Sequence, residues 1–329
     1  MTTAQPSVKS FIGIALETIK GTPVAATDFI PVKMSTLKPV DDIAPLYDDG
    51  LRGSMVEQYN YIPGRKSSKF DIGGSVFADT IGYWIAGILG DVVTTGASAP
   101  YTHTIALKNS VGAAGDAQPK ALTISDYYSA NNRQFPGCQV TDFNLTFSAD
   151  GLLDYTVKVL GFPSVTSAIP VPSFGTLSPM PAWTGTVTIA GGGVINLQKA
   201  NVDMARKAEA IWGLSNTQSP YQIFVGALGV KGKSTFVMVD DSELIRYLTN
   251  TQPTLVFNFT QGAGINATQV QFTLSKGAYT TGVVDRNKDY VEVTVDFDGL
   301  GNTTDAGATS GYSPIKWVLQ NAKVSGTYQ

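Results

Sequence analysis

Alternation of apolar and polar residues with a period of two dominates this chain, and it points to antiparallel β structure. Val291, Val293, Val295 and Phe297 alternate with Glu292, Thr294 and Asp296. Phe143, Leu145 and Phe147 alternate with Asn144, Thr146 and Ser148. Val270, Phe272 and Leu274 alternate with Gln271, Thr273 and Ser275, and Leu255, Phe257 and Phe259 follow the same rule. Successive strand residues point to opposite faces, so each such strand buries one set and wets the other. Helix signals are confined to residues 78–89 (ADTIGYWIAGIL) and 241–248 (DSELIRYL). Each follows a strand and opens with acidic residues, which suit a helix N-terminus. The expected fold is mainly β: two sandwich or barrel units, each with one short flanking helix and a long loop.

Residues 163–182 divide the chain. Pro163, Pro170, Pro172, Pro179 and Pro181 fall in this stretch, a density that opposes ladder pairing and favours an extended spacer joining neither sheet. The units expected on either side are 1–162, with a long loop at 41–66, and 183–301, with a long loop at 205–232. Residues 302–329 form a C-terminal extension. The two units look related. KFDIGGSVF runs into Asp79, Ile81 and Tyr83, and KSTFVMVD runs into Glu243, Ile245 and Tyr247. Further on, Asn144–Ser148 matches Gln271–Ser275, and strands beginning at Tyr155 and Tyr290 follow. One structural unit written twice is the expectation.

Composition removes several classes of function. Charged residues are 15% of the 329 and the net charge is −3, so no global basic field exists to hold DNA or an anionic membrane. The single cysteine, Cys138, and the single histidine, His103, exclude an intrachain disulfide and any Cys-based zinc site. Cys138 reads as a small buried hydrophobe and His103, in the alternating YTHTIAL, as a solvent-facing strand residue. Ala227–Ser234 (ALGVKGKS) fits a relaxed phosphate-loop pattern. However, β-branched alternation follows Lys233 where a helix N-terminus would be needed to meet a phosphate. DFDGLGN at 296–302 has its glycine at position four, where a calcium loop needs it at six. No catalytic residue, cofactor or metal is expected. The polar N-terminus MTTAQPSVKS lacks the apolar core of a signal peptide. The longest strongly apolar stretch, 83–89, is too short to cross a bilayer. The chain is therefore expected to be made in the cytoplasm, with no membrane partner.

Both long loops carry large residues. DDGLRG supplies Asp48, Leu51 and Arg52, and Tyr59 and Tyr61 follow; the second loop holds Trp212, Tyr221 and Phe224. Interfaces favour Tyr, Trp and Arg, and these eight residues are expected at a subunit interface, with packing beneath the loops the alternative for Tyr59, Tyr61, Trp212 and Tyr221.

Three groups of segments resemble the phage major tail tube protein family. ETIKGTPVAATDFIPV at 17–32, DDGLRG, and a glycine-marked strand running into a short helix ending ILG at 88–90 are similar to the family's opening. GCQVTDFNLTFSADGLLDYTVKVLG at 137–161 resembles its recurring strand pair. WTGTVTI at 183–189, the strand and helix at 233–249, and VTVDFDGLG at 293–301 resemble its later half. The resemblance implies a virion protein whose copies form stacked rings around a lumen, the conduit for double-stranded DNA at ejection. Its implied partners are other copies of itself, the tape-measure protein, and the tail terminator and distal tail proteins. DNA passes without specific binding. With two units per chain, the expected ring is a trimer of apparent sixfold symmetry. Asn144, Thr146, Gln271, Thr273, Glu292 and Asp296 are expected to face the lumen, because their alternating neighbours must face the core. A distal tail or baseplate structural protein is the alternative, and a nucleotide hydrolase using Lys233 a remoter one.

Overall fold

The computed structural model describes residue 4 and residues 6–109, 116–128 and 132–329. In the first half the strands are β1 (Phe11–Leu16), β2 (Asp28–Ile30), β3 (Lys38–Asp48) and β4 (Asn60–Ser75), then helix α1 (Ile81–Leu89). After it come β5 (Gly90–Thr95), β6 (Tyr101–Leu107), β7 (Leu122–Tyr127), β8 (Asn132–Ser148), β9 (Asp154–Gly161) and β10 (Val165–Ser167). The second half runs β11 (Gly185–Ile189), β12 (Gly192–Val194), β13 (Leu197–Ile211), β14 (Gln222–Val237), then α2 (Ser242–Leu248). It ends with β15 (Leu255–Gln261), β16 (Thr268–Leu274), β17 (Gly277–Asp285), β18 (Glu292–Gly299) and β19 (Lys316–Asn321). The alternating segments are all strands, and both short helices stand where acidic residues introduce them.

A twelve-stranded sheet and a seven-stranded sheet enclose the core. Eight strands of the larger sheet lie side by side in the order β3-β4-β9-β8-β13-β14-β18-β17, all antiparallel. The smaller sheet runs β12-β11-β15-β16-β19-β6-β5. Between them pack Phe143, Leu145, Val202, Met204, Phe236 and Phe297 from one side and Phe257, Phe272, Trp317 and Leu319 from the other. Both sheets draw strands from both halves, so one core serves the whole chain.

The order of elements occurs twice. A hairpin (β3–β4, then β13–β14) leads to a helix and a second hairpin (β5–β6, then β15–β16). Two further strands follow, of which the last pairs with the first hairpin's second strand. The first half inserts β7 before β8, and β7 carries β1 and β2 on its far side. By this order β17, not β16, stands in the place of β8. The similarity of Gln271–Ser275 to Asn144–Ser148 therefore links two strands of different sheets, as short alternating patterns readily do.

Three expectations about whole segments need correction. The segments 41–66 and 205–232 are mostly paired strand: Ile43 lies opposite Lys66, Tyr47 opposite Tyr61, Ala205 opposite Gly229 and Ile211 opposite Gln222. The proline-rich segment does join a sheet, since β10 pairs with Asn132–Gln134 of β8 and the Met180 N–H donates to the Val76 carbonyl at 2.8 Å. Finally, residues 302–329 are more than an extension. β19 fills the smaller sheet between β16 and β6, and Tyr328 packs edge-on against Tyr83 of α1. A Cβ on Gly82 would lie 2.6 Å from the Tyr328 ring. Gly82→Ala should therefore lower the unfolding free energy by about 1–3 kcal/mol through overpacking, measurable by thermal denaturation.

His103 is fully buried rather than solvent-facing. Its Nε2 lies 3.1 Å from Asn321 Oδ1 and its Nδ1 2.8 Å from Thr94 Oγ1. The Lys323 N–H also donates to Asn321 Oδ1. Burial holds the imidazole below its ordinary pKa of 6.5. The unfolded chain takes up a proton that the folded chain resists, so stability should fall as pH drops through about 6.5. Urea unfolding at a series of pH values should show this decline, and His103→Gln should flatten it. Cys138 is buried, as expected of a small hydrophobe, and burial pushes its thiol pKa up.

Candidate functional site

The solvent face of the eight-strand stack is built by the polar half of each alternation. Because directly paired residues share a face, the cross-strand rows follow from the register. One row runs Thr156–Asn144–Asp203–Lys231–Asp298 and the next Asp154–Thr146–Asn201–Lys233–Asp296. Lys158 and Asp142 stand opposite each other in a third. Lysines and aspartates are thus interleaved. Lys233 Nζ lies 3.6 Å from Asp296 Oδ1, and Thr281 donates to Asp296 Oδ2 at 2.7 Å. Burial, reinforced by the Asp142 charge, raises the Asp203 pKa. At the end of the face Lys288 donates to Glu292 at 2.7 Å. The surface is polar, and each of these lysines has an acidic partner beside it.

Four of the six residues expected on one channel wall share this face: Asn144, Thr146, Glu292 and Asp296. Gln271 and Thr273 do not. They belong to β16 in the smaller sheet, where Gln269 donates to Asn258 at 2.7 Å and to Gln271 at 3.0 Å in a separate polar ladder. The two faces lie on opposite sides of the core, so no channel is lined by all six.

The second feature is a pair of hairpin arms. β4 and β14 run parallel, and their N-terminal parts project beyond β9 and β18 respectively, so β3–β4 and β13–β14 extend from the same end of the sheet. The arms touch. The Lys66 N–H donates to the Gln218 carbonyl at 2.8 Å, Gln218 Nε2 donates to the Pro63 carbonyl at 2.5 Å, and the Arg65 guanidinium stacks 4.6 Å over Trp212. Asp48 ends β3 and pairs with Arg52, whose guanidinium lies 4.6 Å over Tyr59. Tyr47 and Tyr61 pack at 6.0 Å. At the tips, Leu51, Met55 and Leu214 are entirely exposed and Tyr221 is 77% exposed. Phe224, opposite Glu209 near the second tip, is half-exposed. The structure thus gathers the eight expected interface residues onto two adjacent arms. Arg206 fastens the second arm: its guanidinium donates to the carbonyls of Ile88, at the C-terminal end of α1, and Gly226 at 2.9 and 2.8 Å. A positive charge suits that helix end, while burial lowers its pKa to about 10. Nothing in the local sequence marks this residue, whose partner is distant.

The nucleotide-site geometry is absent, since all of Ala227–Ser234 lies inside β14. Among the described residues no cluster of His, Cys, Asp or Glu could hold a metal ion, and no helix is long and apolar enough to cross a membrane.

A polar sheet face, projecting arms and exposed apolar tips describe a structural subunit. The family profile of phage tail tube proteins matches residues 7–314. The chain belongs to the phage tail tube protein family. No curated protein matches it. As a tail tube protein it is a structural component of the virion tail, and the two-sheet architecture agrees with the sandwich fold of such a subunit.

Proposed function

We propose that this tail tube protein polymerises into stacked rings, each of three chains with apparent sixfold symmetry, around a lumen lined by the eight-strand face. The observation that carries this reading is the recurrent strand order. Each half contributes four adjacent strands to one continuous stack, so a chain supplies two neighbouring wedges. The polar face fits a conduit. A lysine-lined wall would retain DNA through phosphate contacts, whereas lysines already facing aspartates offer double-stranded DNA passage without specific binding. Before ejection the same lumen holds the tape-measure protein, and the end rings meet the tail terminator and distal tail proteins. The arms, with their exposed tips, reach a neighbouring ring. The chain is made in the host cytoplasm and carries no enzymatic step.

Negative-stain microscopy of the purified chain tests the reading. Hollow tubes of uniform width support it, and a monodisperse particle at every concentration would contradict it. In the tubes, Lys231→Gln together with Lys233→Gln should leave assembly intact, because these side chains face the opening.

A further inference from the structure

The eight-strand stack has two open edges. Among the described residues, β3 pairs only with β4 and β17 only with β18. The edges are unlike each other, and the chain contains their counterparts already joined, since β8 pairs with β13 at the junction between its two halves. β17 stands in the place of β8, and β3 in the place of β13. Continuing the proposed ring reading, we infer that β17 of one copy pairs antiparallel with β3 of the next, in the register of the internal junction, with Val284 opposite Ile43.

The register follows from the pairings. Lys69 of β4 and Lys233 of β14 open matched stretches, each twelve residues before an Ile of the helix region. Val40 lies opposite Lys69 and Asn201 opposite Lys233, so Ile43 takes the place of Met204. Four residues on, Gly73 leads through Thr156 to Asn144, and Val237 leads through Glu292 to Asp285. Asp285 therefore takes the place of Asn144, and Val284 that of Phe143. Inside the chain Phe143 lies opposite Met204, and Thr146 opposite Asn201. Transferred to the open edges, these become Val284 opposite Ile43 and Asn287 opposite Val40.

Burial supports the transfer. Phe143 and Met204 are 0% exposed, whereas Ile43 is 40% exposed and Val40 53%. Ile43 thus stands uncovered at the position whose counterpart, Met204, the internal junction buries, while Val40 takes the half-exposed place of Asn201. Each of β8 and β17 also carries one register shift against its partner strand, between Val140 and Asp142 and between Tyr279 and Thr281. Asp285 would face Asp42, but Lys69 already pairs with Asp42 at 2.9 Å. Pro39 and Pro45 flank this stretch of β3 and deny it donors on either side, which narrows the registers an edge partner can adopt.

Directly opposed residues of an antiparallel pair have Cα atoms about 4.5–5.5 Å apart, within disulfide range. The test mixes Val284→Cys copies with Ile43→Cys copies, assembles tubes, oxidises them and reads a non-reducing gel. The native Cys138 is buried and does not compete. The mixture should give covalent dimers, neither variant alone should, and a chain carrying both cysteines should give closed covalent trimers. Because Asp285 and Asp42 lie on the polar face within β17 and β3, Asp285→Cys with Asp42→Cys repeats the test without touching the core. Tubes that form but cross-link at neither pair, while Val284→Cys joins Leu46→Cys, would overturn the register and leave the ring reading standing. Failure of the unmodified chain to form any ring would overturn both.

Discussion

Truncation before Lys316 should leave the protein insoluble or molten, a larger effect than any single substitution in the core should have. β19 lies between β16 and β6 and is the strand that joins the first half's hairpin to the second half's sheet. Its loss opens two edges in the middle of the smaller sheet, and unpaired central edges promote aggregation. It also removes Trp317, fully buried, which packs 4.9 Å from Phe272 and 5.8 Å from Phe143. Tyr328, hydrogen-bonded to the Asp79 carbonyl at 2.6 Å, goes with it. The milder Trp317→Ala isolates the packing contribution, and a buried Trp truncated to Ala costs about 3–5 kcal/mol. Urea denaturation monitored by far-UV circular dichroism should show that loss. A soluble truncated chain with an unchanged transition would refute the role assigned to the strand.

Deletion of residues 49–58, with Asp48 and Tyr59 rejoined through Asn-Gly, should abolish polymerisation while sparing the fold. The Tyr59 N–H already donates to the Asp48 carbonyl at 2.8 Å, so the arm closes below the tip and a two-residue turn can replace it. Leu51 and Met55 are fully exposed, and removing them takes nothing from the core. In the proposed stacked rings their apolar surface would gain by burial, and a few anchoring side chains can dominate such an interface. The deletion variant should unfold within a few degrees of the parent yet remain small by size-exclusion chromatography. Normal tubes from this variant would refute the role of the tip.

The strands of the core were legible because each buries one face. Phe143, Leu145 and Phe147 write that burial directly into the sequence, and so do Val293, Val295 and Phe297. The arms were not legible as strands for the converse reason. β3 is exposed on both faces in the single chain, so nothing forces alternation on KPVDDIAPLYD, and its prolines and aspartates read as loop. The eight residues gathered on the arms could still be picked out together, because large side chains in a segment with no core to join stand out whatever its backbone does. The polar sheet face was legible in part: alternation gives the face within a strand but not the sheet to which the strand belongs. Asn144 and Gln271 carry the same local pattern and lie on opposite sides of the protein. Arg206 and His103 were invisible or misread because their partners, Ile88 and Asn321, lie 118 and 218 residues away.

The count of chains around one ring, read from a tube reconstruction at a resolution that separates strands, tests the central claim most directly. The account predicts three chains, each contributing β3-β4-β9-β8-β13-β14-β18-β17 to a continuous lumenal barrel, with Asn144, Thr146 and Asp296 facing the opening and Gln271 facing outward. Six chains per ring, with only β3, β4, β8 and β9 lining the lumen and the second half outside it, would contradict the account.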